Sequence, residues 1–210
     1  MHWILAGALL SYLIGSIPTA YLFGRFLKGI DIRKHGSGNI GATNALRVLG
    51  TVPGILVLLI DILKGFLPVL LIGGFVIGRS GMPAEIALIP LALAAISGHI
   101  WTVFLNFNGG KGIATALGVL LGLAFRIPGL NVILALLVLI WALVFTLSRM
   151  VSLASIIGAA SLPVLIAVFG QSRTLFLAGL VLALFTIYRH KENLKRIISG
   201  KEKKIFSKSS

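Results

Sequence analysis

SGHIWTVFLNFNGGKGIAT, residues Ser97 to Thr115, leaves one apolar run through Asn106, Phe107 and Asn108. It turns at Gly109, Gly110, Lys111 and Gly112, and enters a second apolar run at Ile113. Outward from this stretch the pattern repeats. Trp3 to Gly24, Ile86 to Gly110, Ile127 to Ser148 and Met150 to Ser172 are uncharged runs of about 20 residues or more, enough to cross a ~30 Å hydrocarbon core. With 58% hydrophobic and 11% charged residues, and a mean hydropathy of +1.06, a soluble protein is excluded. The fold class expected is all-α: a polytopic integral membrane protein of about seven transmembrane helices, forming a single domain over 1–210 with a basic tail from about 189 to 210.

The seven expected segments are 3–24, 53–78, 84–107, 113–126, 128–147, 151–170 and 174–188. The fourth is short for a full crossing and reads as a half-helix or a span where the protein is thin. Nothing at the N-terminus resembles a cleavable signal, so the first segment is expected to stay as a helix. The net charge of +14 does not indicate nucleic acid, because the basic residues sit at the ends of apolar runs. Arg25, Lys28, Arg33, Lys34, Arg47, Lys111, Arg149 and the basic tail fall on one side; Arg79, Arg126 and Arg173 fall on the other. That asymmetry predicts an outside N-terminus and a cytoplasmic C-terminus. There is no cysteine, and the four histidines lack metal-ligand spacing, so neither a metal nor a cofactor is expected.

Three polar constellations fall on the predicted cytoplasmic face. In the first, Gly36, Ser37, Gly38, Asn39, Thr43 and Asn44 precede Arg47. This density of hydroxyls and amides suits a polar ligand; the alternative is a connector satisfying its own turns. Helix connections usually run about 2–8 residues, and this one is longer. Thr43 or Asn44 is expected to cap a short helix ending near Leu49, with the Arg47 fork available to phosphate. In the second, Gly109, Gly110 and Gly112 surround Lys111, so backbone N–H groups are expected to converge on an anion at the start of a helix. It is not a Walker A loop: Leu105 replaces its first glycine, and Gly112 stands where Ser or Thr would ligate magnesium. The alternative is a flexible turn whose lysine anchors to lipid headgroups. His99, about three turns earlier, is assigned a structural hydrogen bond.

The third constellation is His190 and Asn193, three residues apart and on one face of a continuing helix, with Glu192 between them. A lipid-headgroup anchor would use the basic residues here but neither His190 nor Asn193. Asp61 and Lys64 are a smaller feature: they either pair with each other within the membrane, or Lys64 turns to the phosphate region.

The motifs GSGNIGATNALRVLG (36–50), SGHIWTVFLNFNGGKGIATALG (97–118) and HKENLKR (190–196), with DILKG at 61–65, resemble the bacterial acyl-phosphate:glycerol-3-phosphate acyltransferases of the PlsY type, in order and spacing over essentially the whole chain. The resemblance implies acyl transfer from acyl phosphate to the 1-hydroxyl of sn-glycerol 3-phosphate, giving lysophosphatidic acid and phosphate, in the bacterial inner membrane at the cytoplasmic face. It implies essential roles for Ser37 and Arg47, glycerol phosphate binding at Gly109 to Gly112, functional roles for His190 and Asn193, and a mainly structural one for Glu192. No protein partner is expected beyond the two substrates and membrane lipid.

The chemistry of the residues agrees with that implication. Acyl phosphate is a mixed anhydride with a good leaving group, so catalysis needs two anions aligned and their repulsion offset. A His-x₄-Asp dyad is absent: Ile40, Phe104 and Lys195 stand at that spacing from His35, His99 and His190. Direct transfer is therefore expected, with His190 or a substrate phosphate oxygen as base. A transporter for an organic phosphate is the alternative. It calls for a polar stripe along several helices, whereas the polar residues here pool at one face.

Overall fold

A computed structural model describes residues 1–205, and among these the only regular structure is helical. The end of the expected tail, 206–210 with Lys208, lies outside the described residues. The chain forms two compact units, Met1–Pro128 and Gly129–Ser210.

In the first unit, α1 (His2–Gly15) and α2 (Thr19–Lys28) make one apolar run of 27 residues interrupted at Ser16 to Pro18. Proline supplies no N–H to a helical ladder, which accounts for the break. The short α3 (Ala42–Leu49) precedes α4 (Thr51–Leu67), and α4 passes through a π-helical turn, Pro68–Ile72, into α5 (Gly73–Ser80). The wide turn leaves carbonyls poorly matched, and Arg126 Nη2 donates to Leu70 O at 3.1 Å. Then come α6 (Ala84–Ile100) and α7 (Ile113–Ala124).

Two helix crossings in this unit depend on missing side chains. At α1–α6 a Cβ on Gly98 would strike Tyr12 O, and at α4–α7 a Cβ on Gly118 would strike Ile62 O. Small residues at such crossings let backbones approach where lipid offers no hydrophobic drive for helices to associate.

The second unit holds α8 (Leu130–Ser148), α9 (Val151–Val168), α10 (Arg173–Arg189) and α11 (Lys191–Ile198). Within it, Trp141 Nε1 donates to Ser155 Oγ at 3.3 Å, joining α8 to α9.

The spanning count differs from the expected seven. Among the described residues five helical runs are long and apolar enough to cross: His2–Lys28, Thr51–Ser80, Ala84–Leu105, Leu130–Ser148 and Val151–Val168. α10 and α11 make a sixth if taken together, bent by 61°. α7 has 12 residues, which falls short of the ~20 a crossing requires.

Candidate active site

The first motif is a loop wound around one side chain. Asn44 is 1% exposed, and its amide is fully engaged: Oδ1 accepts from Ser37 N at 2.8 Å, while Nδ2 donates to His35 O at 3.1 Å and to Ile32 O at 3.4 Å. Asn44 therefore organises residues 32–37 instead of presenting its amide to a ligand. Gly36, at φ +64°, passes so close that a Cβ would meet Asn44 Oδ1. The expected cap is corrected too: Gly41 occupies the N-cap of α3, and Thr43 and Asn44 lie in its first turn. Ser37 and Arg47 are both exposed. Because Asn44 and Arg47 are three residues apart on α3, tying Ser37 to Asn44 places it near the helix face that carries Arg47.

Beside this loop, Arg33 clasps Asp31 in a bidentate pair, Nη2 to Oδ2 at 2.7 Å and Nε to Oδ1 at 3.0 Å. Hydrogen bonding to Arg33 lowers the Asp31 carboxyl to about 2. Arg33 and Arg25 both stack on the Tyr21 ring, at 5.2 Å and 5.4 Å from its centroid. The sequence places Arg25 and Arg33 among the basic residues at the end of the first segment, but not their shared stacking on Tyr21.

The glycine–lysine loop departs from the expected cradle. Gly109 N donates to Ile100 O and Gly110 N to His99 O, each at 3.0 Å. Two of the three glycine amides thus satisfy the last carbonyls of α6, as helix C-termini require. The loop then leads through Lys111 into α7, whose N-cap is Gly112 at φ +81°. The predicted helix start at Ile113 is observed, and its amide ends supply a partial positive charge.

Lys64 is not directed at this loop. Its Nζ lies 2.9 Å from Asp61 Oδ1 and donates to Ile17 O at 2.7 Å. Of the two sequence readings, the geometry is that of the intramembrane pair.

In the second unit the helix does not continue through the third motif. It breaks at His190, whose buried ring holds Nδ1 2.8 Å from Thr186 O. A carbonyl only accepts, so Nδ1 carries the proton and Nε2 is the nitrogen able to take one. Asn193 is buried, and Nδ2 donates to Glu202 Oε1 at 2.6 Å. Glu202 also accepts from Ser152 Oγ at 2.7 Å and from Arg196 Nε at 2.8 Å. Burial pushes the Glu202 carboxyl up, but the bonds from Ser152, Arg196 and Asn193 outweigh this and hold it below the ordinary value.

Glu192, expected to be structural, is exposed and meets only Lys195, at 3.4 Å, among the contacts described for it. The acid that organises the third motif is Glu202. Its one sequence signal is that it is the other acid of a basic tail.

This is a helical, multi-pass membrane protein with basic and polar side chains on loops and helix ends. The family model for glycerol-3-phosphate acyltransferase matches residues 5–200. The chain is 44% identical over 200 residues to a glycerol-3-phosphate acyltransferase of Desulforamulus reducens, covering 95% of this chain and 94% of the relative. It is 46% identical over 207 residues to glycerol-3-phosphate acyltransferase 2 of Moorella thermoacetica, covering 99% and 100%. Crystal structures of PlsY (YgiH), an integral membrane glycerol 3-phosphate acyltransferase, superpose at a TM-score of 0.85 for its glycerol 3-phosphate form and 0.81 for its lysophosphatidic acid form. Identity to these is 37% and 36%; each match covers 96% of this chain, and 95% and 94% of the solved chain respectively. The chain belongs to the glycerol-3-phosphate acyltransferase family, an enzyme family, and these relatives lend no support to the transporter alternative.

Proposed function

We infer that this membrane acyltransferase takes its acyl group from acyl phosphate and delivers it to the 1-hydroxyl of sn-glycerol 3-phosphate. The observation that carries the reading is the family match over residues 5–200, together with a solved relative at TM-score 0.85 described in a glycerol 3-phosphate form. That match runs across the boundary at Pro128, which favours treating 1–210 as one functional domain. The reaction forms an ester bond to the glycerol C1 oxygen and breaks the acyl carbon–phosphate oxygen bond. Phosphate departs, and the hydroxyl proton passes to His190 Nε2 or to a phosphate oxygen of a substrate. No acyl-enzyme forms.

Roles follow from the side chains. The exposed Ser37 hydroxyl and Arg47 guanidinium are proposed to bind and polarise phosphate and the developing oxyanion. Lys111, with the α7 N-terminus behind it, is proposed for the phosphate of the acceptor. Gly38, Asn39 and Thr43 line the first motif's polar surface. Asn44, Gly109 and Gly110 shape the loops, and Lys64 neutralises Asp61. Asn193 keeps the functional role implied by its motif. The charge asymmetry favours the cytoplasmic face of a bacterial inner membrane, with no protein partner required.

The test uses purified protein, palmitoyl phosphate and radiolabelled glycerol 3-phosphate, without coenzyme A. Labelled lysophosphatidic acid, lost in Ser37→Ala and Lys111→Ala, is the expected result. Product that forms only with acyl coenzyme A would overturn the donor.

A further inference from the structure

The first unit contains a buried polar cluster that the reaction as described does not use. Asp61 is 1% exposed, and Lys64 and His99 are each 5% exposed. Thr19 Oγ1 donates to Asp61 Oδ1 at 2.9 Å, the same oxygen that meets Lys64. His99 turns Nδ1 towards that oxygen, 3.8 Å away. Its other ring nitrogen, Nε2, lies against the glycine–lysine loop so closely that a Cβ on Gly110 would collide with it. The imidazole is therefore a wedge between the Asp61 carboxylate and the residue preceding Lys111. The same helix end holds the loop a second way, through the amides of Gly109 and Gly110.

A buried ion pair is a poor source of net stability, since apolar residues of equal volume usually serve as well. Ionisable groups at membrane depth call for another role. Here the pair terminates, through one imidazole, at the loop that carries the proposed phosphate lysine. Alternative positions for that loop would have to displace His99 or separate it from Asp61.

We propose that His99, packed between Asp61 and the loop, is a positioning residue that sets the Gly110–Lys111 backbone for the phosphate of the acceptor substrate. The inference rests on Lys111 binding glycerol 3-phosphate. Misplacing a binding group by about 1 Å can cost as much as 10²-fold, so a partial shift of the loop predicts a loss of about tenfold.

The experiment measures kcat and both KM values for wild type, His99→Ala, the bulkier His99→Gln, the charge-balanced Asp61→Asn/Lys64→Met, and that double change combined with His99→Ala. The expected result is a KM for glycerol 3-phosphate raised about tenfold in His99→Ala, with kcat and the KM for palmitoyl phosphate within about twofold. The charge-balanced variant should raise the same KM, and the triple variant should not exceed His99→Ala, because Asp61 acts through the imidazole. A fall in kcat alone, equal rises in both KM values, or multiplicative effects in the triple variant would overturn the proposal. So would loss of the folded elution profile in both His99 variants, which would make the residue merely structural. A wild type active with palmitoyl phosphate whose KM for glycerol 3-phosphate is unmoved by Lys111→Ala would instead remove the reading of Lys111, and the inference with it.

Discussion

The Asn193 side chain donates to Glu202 Oε1 at 2.6 Å, so a residue of the third motif is held by an acid beyond the end of its own helix. Ser152 and Arg196 complete the same carboxylate, and Ile205 N donates to Arg149 O at 2.9 Å further along. The segment after α11 is thus docked on the start of α9 within the second unit. Glu202→Ala removes the acceptor from three donors at once. Each charge-assisted bond contributes about 1.5–3 kcal/mol, without additivity. Exposure of residues 199–205 to limited proteolysis should rise, and turnover should fall at least about tenfold. Glu202→Gln should recover only part of either.

The same carboxylate makes tail docking pH-dependent. Its folded-state value lies below the ordinary 4.5, so the stability it contributes is fully present above that value and declines as pH falls through the depressed one. Hydrogen-exchange protection factors of residues 199–205, taken relative to the intrinsic rate at each pH, should be flat from neutrality down to about pH 5 and should fall below it. Glu202→Gln should abolish the transition.

Asn44→Ala tests whether the first motif is organised from α3. The substitution leaves the Ser37 N–H and the carbonyls of Ile32 and His35 without their side-chain partner. Buried unsatisfied groups cost about 1–3 kcal/mol each. Activity should drop by at least about tenfold.

Lys64→Met alone leaves Asp61 buried without its cation, a change expected to cost about 3–5 kcal/mol. Asp61→Asn/Lys64→Met should regain most of that stability in a thermal melt. If the single substitution instead left the melt unchanged but abolished turnover, Lys64 would be a substrate ligand after all.

At the α4–α7 crossing, Gly118→Ala places a methyl against Ile62 O. Overpacking of this kind costs about 1–3 kcal/mol. Gly78→Ala, where a Cβ meets nothing within 4 Å, is the control and should melt like wild type.

Much of this protein is legible in its sequence because much of it is decided locally. Apolar runs long enough to cross a bilayer need to satisfy their own backbone, and helices do so segment by segment. The helical class, the membrane location, the helix start at Ile113 and the three motifs that carry the family all follow from residues close together in the chain. What tertiary structure alone decided are the partners that lie far away. Asn44 looks like a ligand until His35, Ile32 and Ser37 fold over it. The glycine amides look directed at an anion until the last carbonyls of α6 claim two of them. Glu192 and Glu202 are equivalent acids in a basic tail, and only the return of the chain to Ser152 buries the second. The turn at His190 ends a helix that sequence periodicity would continue. Hydrophobicity, being additive along the chain, can be read from composition; a hydrogen bond depends on where two atoms meet, and that is set only when the helices have packed.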